Sequence, residues 1–169
     1  MKALVVYESM WGNTRQVATA IAVGLGGVPV TQVDHVDADD LKDLDLLVVG
    51  GPTHAFSMSR SSTRRDAVAK GAPASQEGMG VREWLDALPA DLTAAVATFD
   101  TRATTVRHLP GSAAKSAAKE IKRHHGGRVV DQESFYVLDM EGPPAEGELD
   151  RARAWAAKLA HAVPASSRS

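Results

Sequence analysis

The sequence predicts an α/β fold in which a five-stranded parallel sheet, in the order 2-1-3-4-5, carries helices on both faces. Three runs, residues 3–7, 44–51 and 93–99, are continuously apolar rather than alternating. Strands that are buried on both faces have this pattern. Segments with helical spacing separate the runs, so strand and helix alternate five times along the chain.

The remaining elements follow from polarity and from helix-stop signals. Residues 28–36 and 127–138 are more polar and more alternating, and we expect them at the two edges of the sheet. Helices are expected over residues 13–25, 38–44, 81–88, 112–125 and 146–163, with Gly-Gly or Pro after most of them. One domain then spans residues 1–163. Residues 57–80 are expected as an inserted loop with at most one helical turn, and residues 164–169 as a disordered tail.

Composition excludes several classes of function. The 169 residues include no cysteine, which rules out disulfides, thiolate metal sites, iron–sulfur clusters and a cysteine nucleophile. The six histidines show no ligand spacing, so no metal is expected. A net charge of -2 attracts the chain neither to nucleic acid nor to anionic membrane. No apolar run reaches the length of a membrane span, and we expect a cytoplasmic protein whose redox chemistry would need a bound cofactor.

The most informative segment is "ESMWGNT", residues 8–14, between the first strand and the first helix. A helix that begins near Asn13 points unpaired N–H groups at this turn, and its dipole favours an anion there. Ser9 and Thr14 add hydroxyl groups, and Gly12 permits close approach of the backbone. The turn lacks the lysine of a Walker A loop and the three glycines of a dinucleotide fingerprint. It therefore predicts either an anion site, with neither a nucleoside triphosphate nor NAD as its natural occupant, or a simple helix cap.

Residues 9–14, "SMWGNT", resemble the phosphate loop of the flavodoxin family, a Ser/Thr-x-Thr-Gly-x-Thr turn that wraps the phosphate of FMN. Trp11 stands where flavodoxins usually carry threonine. An aromatic residue at this position resembles the loops of flavodoxin-like quinone reductases and of the flavodoxin modules in flavodiiron proteins. "VVGGPTHAF" and "ATFDTR" resemble the second and third flavin loops, so the resemblance covers most of the chain and indicates a short-chain type with an insertion after strand three. It implies noncovalent FMN, rather than FAD, held by Ser9, Met10, Trp11, Gly12, Asn13, Thr14, Pro52, Thr53, His54, Ala55, Phe56, Phe99, Asp100, Thr101 and Arg102.

Three positions around the flavin ring depart from the family pattern or add chemistry. Ala103 stands where a stacking tyrosine is usual, and Trp11 either replaces that partner over the ring or packs elsewhere. Arg102 either lies near the pyrimidine end of the flavin, which would raise the potential and favour two-electron chemistry, or faces solvent or pairs with Asp100. His54 is a candidate donor to a flavin carbonyl or proton relay to a quinone, or a packing residue of the turn.

A basic cluster follows the second loop: Arg60, Arg64, Arg65 and Lys70. It is either a solvated face or a docking patch for an acidic redox partner or for the phosphates of NAD(P)H. Without interleaved aromatic residues, the cluster does not predict nucleic-acid binding.

Three functions fit the sequence. The first is an FMN-binding electron-transfer flavodoxin. The second is an FMN-dependent NAD(P)H:quinone oxidoreductase. The third is a flavin-free interaction or regulatory module of the same fold. Flavodoxin electron carriers tend to be strongly acidic for docking, whereas this chain is nearly neutral with a basic loop.

Overall fold

A computed structural model describes residues 1–164 and has the expected parallel sheet. Strands β1 (Ala3–Tyr7), β2 (Val30–Gln32), β3 (Leu46–His54), β5 (Ala95–Ala103) and β6 (Arg128–Val137) pair in parallel in the order β2-β1-β3-β5-β6. The two-residue strand β4 (Ser57–Met58) pairs antiparallel with the end of β3. Counting the parallel strands alone, the predicted order is confirmed.

Helices cover both faces of the sheet. One face carries α1 (Asn13–Gly24) and α5 (Glu148–Ala162), and the other carries α3 (Val81–Asp86) and α4 (Ala113–His124). In the core under α5, the ring of Phe135 meets Phe99 and Trp155 edge-on, at centroid distances of 6.4 and 5.8 Å. Within residues 1–164, no helix has the length and apolar character needed to cross a membrane.

The edges and ends of the elements differ from the sequence prediction. The second strand is three residues long and runs into a 3-10 turn at residues 33–35, and the helix expected over residues 38–44 is a 3-10 turn at 38–41. Strands β3 and β5 instead continue beyond their apolar runs, because their backbones still pair at Gly51–Asp100 and Pro52–Thr101. Residues expected in loops are therefore held rigidly at the ends of strands.

The segment 57–80 is not a loop with one helical turn, so that prediction is wrong. It contains β4, the nine-residue helix α2 (Ser61–Ala69) and a 3-10 turn at residues 74–76. Its apolar side is small but sufficient to dock the helix, since Ala67 and Ala72 pack with Met10 in a separate cluster. From Ala165 onwards, the predicted disordered tail lies outside the described residues.

A buried polar network holds α2 and α3 to the end of β1. Ser59 Oγ donates to one carboxylate oxygen of Glu8, and Val81 N–H donates to the other at 2.8 Å. Arg64 donates from Nη1 to Ser59 Oγ at 2.8 Å and from Nη2 to Glu83 at 2.9 Å. One arginine thus links two helices and a strand through two carboxylates.

The same network corrects the predicted surface cluster. Arg64 is only 2% exposed, so it cannot be part of a solvated face or a docking patch. Arg65 is exposed but pairs with Glu77 at 3.4 Å. A side chain at Gly80 would place its Cβ 2.4 Å from Arg64 Nη1 and 2.7 Å from Glu8 Oε2, so only glycine leaves room for the network.

Burial raises the pKa of Glu8 above its ordinary value, although the hydrogen bonds from Ser59 and Val81 and the charge of Arg64 oppose this shift. A carboxyl whose folded-state pKa is raised contributes stability below its unfolded pKa and loses that contribution as pH rises through the folded value. The ionised form of Glu8 therefore places the network under electrostatic strain.

Replacing Glu8 by Gln tests this strain. Because Gln cannot ionise, the free energy of unfolding of Glu8→Gln should improve relative to wild type as pH rises from about 4.5 towards 8. Urea unfolding at several pH values measures the difference, in which any constant packing effect cancels. Glu141→Gln removes one exposed carboxylate and serves as the control. If the free energy of unfolding varied with pH in the same way for wild type and Glu8→Gln, the raised pKa of Glu8 would be contradicted.

Candidate functional site

A pocket of about 470 Å³ opens at the carboxyl ends of β1, β3 and β5, within the usual range for small-molecule sites. The turn after β1, the end of β3, the end of β5, helix α2 and the segment after β6 line it. Of the predicted site residues, it brings together Ser9, Met10, Trp11, Asn13, Thr14, Pro52, Thr53, His54, Ala55, Thr101 and Arg102.

The turn after β1 places the start of α1 at the pocket. Gly12, with φ +90°, is the N-cap of α1, and its N–H donates to Ser9 Oγ at 3.0 Å. Thr14 Oγ1 lies 2.7 Å from Thr101 Oγ1, which ties the first turn of the helix to β5. Ser9, Asn13 and Thr14 are buried. The first-turn N–H groups of a helix have no intrahelical acceptor, so α1 provides donors here with no cationic side chain in the turn itself.

The second wall is the end of β3. Thr53 Oγ1 accepts from the N–H of Ala113 at 2.9 Å, which fixes this wall against α4. His54 Nδ1 lies 3.1 Å from Thr63 Oγ1 of α2. Burial, and then the charge of Arg64, lower the pKa of His54, so its ring is neutral at pH 7. Phe56, a predicted ring contact, does not line the pocket, since it is 52% exposed in a left-handed turn (φ 64°).

The third wall is the end of β5. Arg102 lies there, and it neither faces solvent nor pairs with Asp100, the two positions expected if it were a surface residue. Arg102 is 5% exposed, and its Nη2 donates to the carbonyls of Val106 and Leu109, at 3.0 Å for the latter. It forms no ion pair with Asp100 in the described chain. Its guanidinium therefore fixes the turn that closes this side of the pocket.

Two predicted contacts on β5 lie away from the pocket. Phe99 is buried in the core beside Phe135. The carboxylate of Asp100 is buried on the side of α4, where it accepts from the N–H of Ala114 at 3.0 Å. Burial raises the pKa of Asp100, and the hydrogen bond from Ala114 opposes the shift. Alternate residues of a strand face opposite sides of a sheet, so a continuous stretch cannot all face the ligand.

Two walls were missed by the sequence prediction. Helix α2 adds one wall, and the segment after β6 adds the other. The parallel direction of β6 was a usable signal for the latter, because its carboxyl end meets the same edge as the other strands. The additional lining residues are Thr63, Asp66, Ala67, Lys70, Ala103, Thr105, Val106, Val137, Asp139 and Met140.

The pocket fits a ligand that is rich in hydrogen-bond acceptors, as FMN is. Trp11 Nε1 and Arg102 Nε are buried donors on lining residues, and neither has an acceptor in residues 1–164. Buried donors are normally paired, so a bound acceptor would complete them. Trp11 also packs against the cluster of Met10 and Ala67, which places its ring beside α2. No group of three or more His, Asp or Glu in the described residues is arranged to hold a metal ion.

Comparisons with known proteins agree with this geometry. The flavodoxin family model matches residues 5–82. No curated protein matches the chain in sequence. The chain is similar to a short-chain flavodoxin associated with a non-canonical PDU bacterial microcompartment (18% identity, TM-score 0.66, covering 97% of this chain and 100% of the other). It is also similar to oxidised flavodoxin 2 from Bacillus cereus (20%, 0.64, 96% and 98%) and to a flavodoxin from the domain Archaea (20%, 0.62, 96% and 98%).

FMN, the cofactor expected from the first turn, is the cofactor of this family. The structural likenesses are below 25% identity and concern the fold, whereas the family model concerns the sequence of the first turn and the second loop. Residues 5–82 match the flavodoxin family model in sequence, and the chain has the flavodoxin fold across the described residues.

Proposed function

We propose that this protein is an FMN-binding electron-transfer protein. The observation that carries the proposal is that Ser9, Asn13 and Thr14, at the start of α1, line a pocket large enough for the rest of the cofactor. Among residues 1–164, only one such turn lies at the pocket, which favours the single phosphate of FMN over the two of FAD. Bound FMN would supply the redox chemistry that the side chains of this chain lack.

The side chains at the turn would hold the phosphate mainly through neutral donors. Ser9, Asn13 and Thr14 are the polar side chains there, and Lys70 of α2 is a cation on the same pocket. A doubly charged phosphate bound to oriented N–H and O–H groups is stabilised by charge-assisted hydrogen bonds and by the helix dipole. Removal of one hydroxyl should therefore weaken FMN without unfolding the protein.

The flavin ring would lie between the ends of β3 and β5. Pro52, Ala55 and Ala103 leave room for a flat ring, and Val106 and Met140 add apolar contacts. These residues would exclude water from the ring, which strengthens every electrostatic interaction inside the site. Ala103 offers no aromatic face, so apolar packing would replace one of the usual stacking contacts.

An electron carrier is favoured over an NAD(P)H:quinone oxidoreductase by the contact of His54. The oxidoreductase hypothesis uses Arg102 as a cation beside the ring and His54 as a proton relay. Arg102 fits either function, because its Nε lies at the pocket without an acceptor among residues 1–164, whereas His54 Nδ1 already lies against Thr63 Oγ1. NAD(P)H consumption with a quinone by FMN-loaded protein would reverse this preference.

Titration of FMN into the protein tests the phosphate site. Thr14→Ala should raise the Kd for FMN by about tenfold or more, because hydrogen bonds to charged groups contribute roughly 1.5–3 kcal/mol. Quenching of flavin fluorescence measures binding. Thr19→Ala, which removes an exposed hydroxyl bonded to a carbonyl on the same helix, is the matched control and should leave the Kd unchanged. Failure of folded wild-type protein to bind FMN would refute the proposal.

Replacing Arg102 tests the turn that closes the third wall. Arg102→Met leaves the carbonyls of Val106 and Leu109 without their donor, so residues 104–110 should be cleaved faster in limited proteolysis. The Kd for FMN should rise about tenfold, which corresponds to about 1.4 kcal/mol. Arg107→Met, at an exposed neighbour, is the control and should change neither measurement. Equal proteolysis of the two variants would show that Arg102 does not hold the turn.

A further inference from the structure

Two loops beside the pocket form one continuous surface, here called the basic rim and defined as residues 54–60 and 104–115. Ser57 Oγ and Ser116 Oγ are 2.9 Å apart, so the first loop is joined to α4. A Cβ built on Gly111 would lie only 2.4 Å from the carbonyl oxygen of Phe56, so the two loops are in close contact. Ala55 and Thr105 line the pocket, so the basic rim borders its opening.

The basic rim carries positive charge only. Neither of its two stretches contains aspartate or glutamate, although the whole chain has a net charge of -2. Arg60, Arg107 and Lys115 are exposed. None of them forms an ion pair with a carboxylate of residues 1–164. Arg107 donates to His108 and Lys115 donates to the carbonyl of Pro110, but these neutral partners leave the positive charges in place.

The basic rim also exposes apolar side chains. Phe56 is 52% and Leu109 is 40% exposed. The backbone at both positions is anchored, since Phe56 packs against Gly111 and the carbonyl of Leu109 accepts from the buried Arg102. Protein interfaces combine apolar anchors with a charged periphery, and aromatic residues are enriched in them. The surface therefore has the composition of a protein contact as well as the charge of an anion-binding face.

We propose that the basic rim is the docking surface for an acidic electron-transfer protein. The inference rests on the proposed function and adds the partner's chemistry to it. The adjacent pocket would place the flavin next to the contact, and the three cations would steer an acidic partner towards that edge. The exposed phenyl and isobutyl groups then supply a small apolar contact, as suits a transient redox complex.

This assignment differs from the cluster predicted by the sequence. Of that cluster, Arg60 alone lies on the basic rim, because Arg64 is buried and Arg65 pairs with Glu77. Arg107 and Lys115 come from a segment that follows β5 and were not recognised as part of it. The phosphates of a dinucleotide would also be attracted by these cations, but such a ligand would leave the exposed Phe56 and Leu109 unexplained.

Binding measurements with two probe proteins of opposite charge test the proposal. FMN-loaded protein is titrated with an acidic [2Fe–2S] ferredoxin and with basic cytochrome c, at low and at moderate salt. Binding of ferredoxin should be the tighter of the two and should weaken with salt. Arg60→Glu, Arg107→Glu and Lys115→Glu should each raise the Kd for ferredoxin about threefold to tenfold, since each reverses a rim charge.

Lys158→Glu is the matched control, because it reverses an exposed charge on α5, across the sheet from α4. It should change the Kd for ferredoxin less than twofold. Equal effects of the rim variants and the control, or tighter binding of cytochrome c, would overturn the proposal. If the rim variants lost NADPH binding but bound ferredoxin as wild type does, the surface would be reassigned to a dinucleotide.

The two proposals fail separately. FMN titration is scored by flavin fluorescence before the probe proteins are added. If the chain does not bind FMN but still binds ferredoxin through the basic rim, the proposed electron-transfer function is refuted and the proposed acidic docking partner is retained. If the chain binds FMN but shows no preference between the two probe proteins, only the proposed docking surface is refuted.

Discussion

The parallel alignment of β1, β3 and β5 is the constraint on which the site depends. Their carboxyl ends meet at one edge, and pairing between β3 and β5 continues to Pro52 and Thr101. The backbone there is held by the sheet rather than by mobile loops. Helix α1 begins at the same edge, and Thr14 Oγ1 lies 2.7 Å from Thr101 Oγ1. The turn at the start of α1 and the walls of the pocket are therefore positioned by one hydrogen-bonded scaffold.

The network around Arg64 has a different role, because it attaches helix α2, which lines the pocket, to that scaffold. Helix α2 has few apolar residues, and its contact cluster is small. Arg64 compensates with bonds to Ser59 and Glu83, and Ser59 in turn reaches the buried Glu8. Buried charges rarely add much net stability, but they fix a geometry because a misplaced partner would leave a charge unpaired. The position of α2 against the pocket is accordingly defined by specific polar contacts and not by apolar packing alone.

Charge distribution around the pocket separates this chain from a strongly acidic electron carrier. The basic rim is positive, the first turn contributes neutral donors, and Arg102 is directed into the carbonyls of its own turn. Arginine suits that role because its planar group keeps its charge while donating to several acceptors. Arg102 thus shapes the pocket, while the exposed cations of the basic rim face outward.

The sequence by itself determined the alternation of strands and helices, the strand order and the first turn, because these follow from local patterns of apolar residues, glycine and hydroxyl groups. Eleven of the fifteen residues predicted from the sequence line the pocket. Tertiary structure alone decided that Arg64 is buried, that Phe99 and Asp100 face away from the pocket, and that α2 forms a wall. These outcomes depend on partners distant in sequence, such as Glu8 with Arg64 or Phe99 with Phe135. A linear pattern gives the type of a side chain, but only packing decides which side of the sheet it faces and which charge it meets.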